Sequence, residues 1–103
     1  MNNKMKVVAI CGSMRFNNEM FREQVRLAKQ GVIALLPVIE PENNEPNLTP
    51  EEKELFSKIH LQKIDLSDEI FVVNVRGYIG PSTQAEITYA EATGKPVRYM
   101  CPG

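Results

Sequence analysis

Two short stretches of this sequence combine groups that bind anions or react. Gly12-Ser-Met-Arg15 offers backbone N–H groups, a hydroxyl and a guanidinium, the set a phosphate needs when such a stretch lies just ahead of a helix. The same residues also describe a tight strand-to-helix turn whose arginine is simply solvated, because short glycine motifs match widely. The stretch is neither a G-x-x-x-x-G-K-[ST] nor a G-x-G-x-x-G motif. The second stretch is Pro81-Ser-Thr-Gln-Ala-Glu86. It predicts a helix capped near Ser82 or Thr83 with Glu86 in its first turn. There the positive end of the helix dipole would keep a carboxylate ionised and available as a nucleophile, unless burial outweighs the dipole. The competing reading is structural: Thr83 and Glu86 have the spacing of a capping box.

Other reactive types are sparse. His60 is the sole histidine and falls beside the apolar residues Ile59 and Leu61, where a partly exposed helix histidine without a catalytic task is the default. Asp65 and Asp68 stand just before an apolar run, a usual place for turn and capping carboxylates. Phe16 and Tyr78 sit in the two loops of interest, suited either to stack on a base or to cover the edge of the core. Cys11 and Cys101 make no C-x-x-C pair, and one histidine completes no metal framework of the usual spacing. Both thiols are therefore expected to be buried in or beside strands, with no metal and no cofactor.

These residues need elements to position them. Met5 to Cys11 is a β-rich apolar run ending at Gly12, as in a strand buried on both faces. From Asn18 to Gln30 the spacing turns helical, with Phe21, Val25 and Ala28 on one stripe and Arg22, Glu23, Arg26 and Lys29 mostly on the other. Gly31 suits the helix end. Val32 to Leu36 predicts a second strand closed by Pro37, and Glu40 to Leu48 a loop. Thr49-Pro-Glu-Glu52 is a capping threonine, a proline at the first helical position and a glutamate three residues after the cap, and opens a helix to about Leu66. Glu69 to Val73 predicts a third strand and Asn74 to Pro81 a loop. A third helix runs through Ala90 to Gly94-Lys-Pro96, and Val97 to Met100 forms a final strand.

Alternating strands and helices imply right-handed crossovers and a parallel sheet. The expected architecture is α/β: one flavodoxin- or Rossmann-like three-layer domain over residues 1–103, with about four strands in order 2-1-3-4 and helices on both faces. In such sheets ligands bind beyond the carboxyl ends of the strands, where the strand order reverses. That crevice would lie between the first and third strands, bordered by Gly12 to Asn17 and Asn74 to Thr83.

Bulk properties narrow the classes further. With 12 basic and 13 acidic residues the formal charge is −1, which speaks against a surface that coats nucleic-acid polymers. The apolar run from Val7 to Cys11 is too short for a signal peptide or a membrane span, so a cytoplasmic, non-membrane protein is expected.

The order Val-Ala-Ile-Cys-Gly-Ser-Met-Arg, then a Ser-Asp strand, then Ser-Thr-Gln-Ala-Glu-Ile-Thr-Tyr-Ala-Glu-Ala-Thr-Gly-Lys-Pro, resembles the nucleoside 2-deoxyribosyltransferase superfamily across nearly the whole chain. Cys11 to Arg15 is more similar to the branch that hydrolyses 2′-deoxynucleoside 5′-monophosphates than to the transferases acting on free nucleosides. The resemblance implies that Glu86 attacks the anomeric carbon and releases the base, with water or an incoming base resolving the glycosyl-enzyme. It further implies that Ser13, Arg15 and Ser82 hold the 5′ end, with Thr83 and the Gly12 backbone close by, and that Phe16 flanks the base. It also implies a homo-oligomer, a dimer, since family members often complete the site with residues of a neighbouring subunit. The chain departs from the family at one point. His60 stands eight residues before Asp68, where the family usually carries an aspartate that orients the sugar or helps protonate the leaving base. A histidine can serve as a general acid near neutral pH.

Two functions are expected from these residues. One is an enzyme acting at the N-glycosidic bond of a (2′-deoxy)nucleoside or its 5′-monophosphate. The other is a non-catalytic module that binds or senses a nucleotide-derived ligand.

Overall fold

The computed structural model describes residues 4–39 and 48–102, so the loop expected at 40–48 lies almost wholly outside the described residues. Strand β1 (Val7–Gly12) is followed by a 3-10 turn (Met14–Phe16) and helix α1 (Asn17–Lys29). Then come β2 (Ile33–Leu35), α2 (Pro50–Asp65), β3 (Glu69–Val73), a second 3-10 turn (Val75–Gly77), α3 (Pro81–Ala92) and β4 (Val97–Tyr99). The four strands form one parallel sheet in order β2-β1-β3-β4, as expected from the sequence. No helix among the described residues is long and apolar enough to cross a membrane.

Crossover handedness decides which face each helix covers. The chain steps one way from β1 to β2 and the other way from β2 to β3 and β3 to β4, so right-handed connections put α1 on one face and α2 and α3 on the other. Alternation along β1 serves both layers. Val8 and Ile10 pack with Met20 and Leu27 of α1, while Ala9 and Cys11 pack with Ile64 of α2 and Ile87 and Ala90 of α3. Cys11 is thereby aimed between α2 and α3.

Helix α2 starts on the expected capping box: Glu52 N–H donates to Thr49 Oγ1 at 3.1 Å, and Thr49 N–H donates to Glu52 Oε1 at 2.9 Å. At its far end Lys95 Nζ donates to the Ser67 carbonyl at 2.6 Å, a cation where the helix dipole favours one. Asp68 accepts from Val7 N–H at 2.8 Å and Asp65 from the Tyr89 hydroxyl at 2.7 Å, so both carboxylates tie elements together. The buried Asn74 side chain bonds both the N–H and the carbonyl of Cys101, pinning the segment after β4 against the end of β3.

Two sequence expectations are corrected. In α1 the buried side chains are Met20, Glu23 and Leu27, whereas Phe21, Val25 and Ala28 face outward. The rotation is possible because Arg26 neutralises Glu23 through a charge-assisted pair, allowing a carboxylate on the inner stripe. The third helix begins at Pro81 with Gly80 as its cap, earlier than Ser82 or Thr83, because proline is itself a favoured first helical residue.

Candidate active site

The strand alternation, α2 and α3 bring one residue each to a common point at the carboxyl end of the sheet. Cys11 contributes Sγ, fully buried, from the end of β1. His60, 3% exposed, comes from α2 and places Nε2 3.5 Å from that sulfur. Glu86 comes from α3, and the donor atoms of all three lie within 4.8 Å of one another. They sit by a cavity of about 430 Å³, walled by Gly12 and Ser13 after β1, by Gly80, Pro81, Ser82 and Thr83 at the start of α3, and by His60 and Glu86. Six of the expected site residues thus share one cavity.

Arg15 and Phe16 are placed differently. The Arg15 guanidinium lies 4.1 Å from the centroid of the Tyr78 ring, with Nη2 3.4 Å from the Tyr78 hydroxyl. Tyr78 lines the cavity, whereas Arg15 does not. Phe16 packs against the Val8, Ile10 and Met20 cluster and meets Tyr78 edge-on at 6.0 Å. Phe16 thus packs on the α1 side of the core and does not itself wall the cavity.

The environment of Glu86 also differs from expectation. Starting the helix at Pro81 makes Glu86 the sixth helical residue, with no acidic residue in the first turn and no side-chain cap at Gly80. The capping box of Thr83 and Glu86 is therefore absent, and Glu86 lies past the turn in which the dipole is strong. Burial pushes its carboxyl up to about 7, opposed by a hydrogen bond from Cys11. Burial likewise raises the Cys11 thiol well above its ordinary range, helped by the neighbouring Glu86. His60 is lowered to about 4 by burial and by repulsion from Lys63, against a raising contribution from the Ile10 carbonyl. Burial thus favours the neutral ring.

At the other end of the cavity the chemistry favours an anion. Ser82 and Thr83 are the second and third residues of α3, so their N–H groups lack intrahelical acceptors, and Pro81 has none to offer. Gly12 keeps the packing beneath close: a Cβ there would stand 3.1 Å from the Val73 carbonyl oxygen and 3.2 Å from Met20 Sδ, so those neighbours would have to give way slightly.

No family model and no curated protein matches this chain. In fold it is similar to a conserved protein from Enterococcus faecalis V583, whose crystal structure superposes on 93% of this chain with a TM-score of 0.64 at 19% identity. The chain spans 63% of that protein's length. At this identity the likeness shows the fold alone.

Several cavity residues escaped the motif reading. Lys53, Phe56 and Ser57 line it from α2 together with His60. Their spacing of i, i+3, i+4 and i+7 marks one helix face, so turning His60 inward was the signal that finds them. Cys11 carried no such signal, since a cysteine within an apolar strand reads as core.

Proposed function

We propose that this cavity binds a nucleoside or nucleoside 5′-monophosphate and that Glu86 cleaves or transfers at its N-glycosidic bond. The observation that supports this reading is the presence of a half-buried carboxylate in the same cavity as the free N–H groups of α3 and the Ser13 loop. Those donors suit a phosphate or 5′-hydroxyl, and Ser82 and Glu86 line the same cavity one helical turn apart. The residue pattern shared with the nucleoside 2-deoxyribosyltransferase superfamily supports the same assignment.

Ionised Glu86 attacks the anomeric carbon, the carbon–nitrogen bond breaks, and the base leaves with a proton. Water or a second base then attacks the same carbon and frees the carboxylate. The leaving base takes its proton from solvent water, and His60 stands in the same cavity wall, with Nε2 3.5 Å from Cys11 Sγ. Incubation with a panel of nucleosides and their 5′-monophosphates, followed by chromatography for free base, tests the proposal. Base release is the expected result.

One observation favours the alternative of a binder or sensor: Glu86 is the sole carboxylate lining the cavity among the described residues, so no second acid stands ready there. Measurable affinity with no released base would select that reading. The proposed setting is cytoplasmic. The proposed partner is a second copy of this chain, supported by the family resemblance and by Phe21, Val25 and Ile33, which are 39%, 53% and 44% exposed.

A further inference from the structure

We propose that Cys11, His60 and Glu86 form a site for a divalent transition-metal ion of the zinc type, with the cavity supplying the fourth ligand. The three side chains offer one sulfur, one nitrogen and one oxygen donor from three different elements, all within 4.8 Å of one another. A tetrahedral ion with bonds of about 2.3 Å to sulfur and about 2.0–2.2 Å to nitrogen and oxygen needs its ligand atoms roughly 3.3–3.6 Å apart. The Cys11 Sγ to His60 Nε2 separation of 3.5 Å already meets that requirement. The remaining two edges close by movement of Glu86, whose longer side chain lies at the cavity wall, while the central strand fixes Cys11.

The donor set selects the ion. Thiolate and imidazole suit zinc, cobalt or copper, whereas magnesium and calcium demand oxygen ligands. Three protein ligands and one position facing a cavity are the pattern of an open, ligand-exchanging site, in contrast to a closed structural one. His60 Nδ1 is buried and has no hydrogen-bond partner among the described residues. Binding releases the Cys11 thiol proton, and that of Glu86 when it carries one, to solvent; no electrons move. A Glu86 held by metal cannot attack a sugar, so occupancy would silence the chemistry proposed above.

The full chain, kept reduced, is titrated with Zn²⁺ against a chromophoric chelator and separately with Co²⁺ by absorption spectroscopy. One ion per chain is expected, with a near-ultraviolet thiolate-to-cobalt band and intense tetrahedral visible bands. Cys101→Ser should keep both, whereas Cys11→Ser should lose the charge-transfer band and Glu86→Gln should weaken zinc binding more than about tenfold. Absence of stoichiometric binding, a weak octahedral cobalt spectrum, or a thiolate band lost in Cys101→Ser would overturn the site. If Cys11→Ser does not fold, the spectra of the wild type and Cys101→Ser decide. The readout needs no turnover, so failure of the glycosidic reading leaves it intact.

Discussion

Cys11 and His60 are separated by 49 residues of chain, yet their Sγ and Nε2 atoms stand 3.5 Å apart. The contact exists because β1 alternates toward the α2 and α3 face just as His60 turns inward from α2. It places a neutral ring and a protonated thiol beside the carboxylate on which the proposed chemistry depends.

Glu86 and His60 should tilt stability in opposite directions with pH. The carboxyl rises from 4.5 to about 7, so through that window the folded protein keeps a proton that the unfolded chain has lost, and stability falls as pH rises. The imidazole drops from 6.5 to about 4, so the unfolded chain takes up a proton first, and stability falls as pH is lowered. Each slope is about 1.4 kcal/mol per pH unit. Between about pH 4.5 and 6.5 they cancel in the wild type. Glu86→Gln removes one of them, and urea denaturation across this range should show the variant gaining stability with pH relative to wild type. Parallel curves for the two proteins would reject the assigned environments.

Glu86→Gln should also abolish base release while leaving ligand affinity nearly unchanged, because the amide keeps the size but not the nucleophile. Above pH 7 the variant should be at least as stable as wild type, since a buried charge has been removed. Persisting turnover in protein free of wild type would end the nucleophile assignment.

Arg15→Ala should weaken 5′-monophosphates far more than the matching nucleosides, as a charge-assisted contact to phosphate is worth about 1.5–3 kcal/mol. The guanidinium now rests on Tyr78 and does not line the cavity, so it must swing toward the phosphate. Calorimetric titration of both ligand classes reads the difference, and equal losses would remove Arg15 from phosphate binding.

Arg76 adopts φ 55°, ψ 27°, a left-handed conformation that disfavours side chains, most of all β-branched ones. Arg76→Gly should leave stability unchanged or slightly higher, whereas Arg76→Val should lower it by about 1–2 kcal/mol. Thermal unfolding of the pair measures the gap, and equal midpoints would contradict the strain.

If Phe21, Val25 and Ile33 meet a second copy, Val25→Glu should shift the protein to monomer, because an unpaired charge buried in an interface is strongly unfavourable. Sedimentation of wild type and variant tests this. A monomeric wild type would refute the proposed pairing.

The sequence alone determined the order of elements, the parallel sheet and its crevice, because strand runs, Pro and Gly breaks and the Thr49–Glu52 box act over a few neighbouring residues and crossovers have one hand. It also marked Gly12, Ser13, Ser82 and Thr83 in two loops that meet, and Glu86 in the helix that follows the second. Tertiary packing decided the rest. The inner face of α1 followed from the pairing of Glu23 with Arg26, which outweighs simple polarity. The turn in which Glu86 sits followed from Pro81 opening the helix, and the upward shift of its carboxyl from burial. The closeness of Cys11, His60 and Glu86 depends on how α2 and α3 dock on the central strand, and solvent exclusion there sets each protonation state.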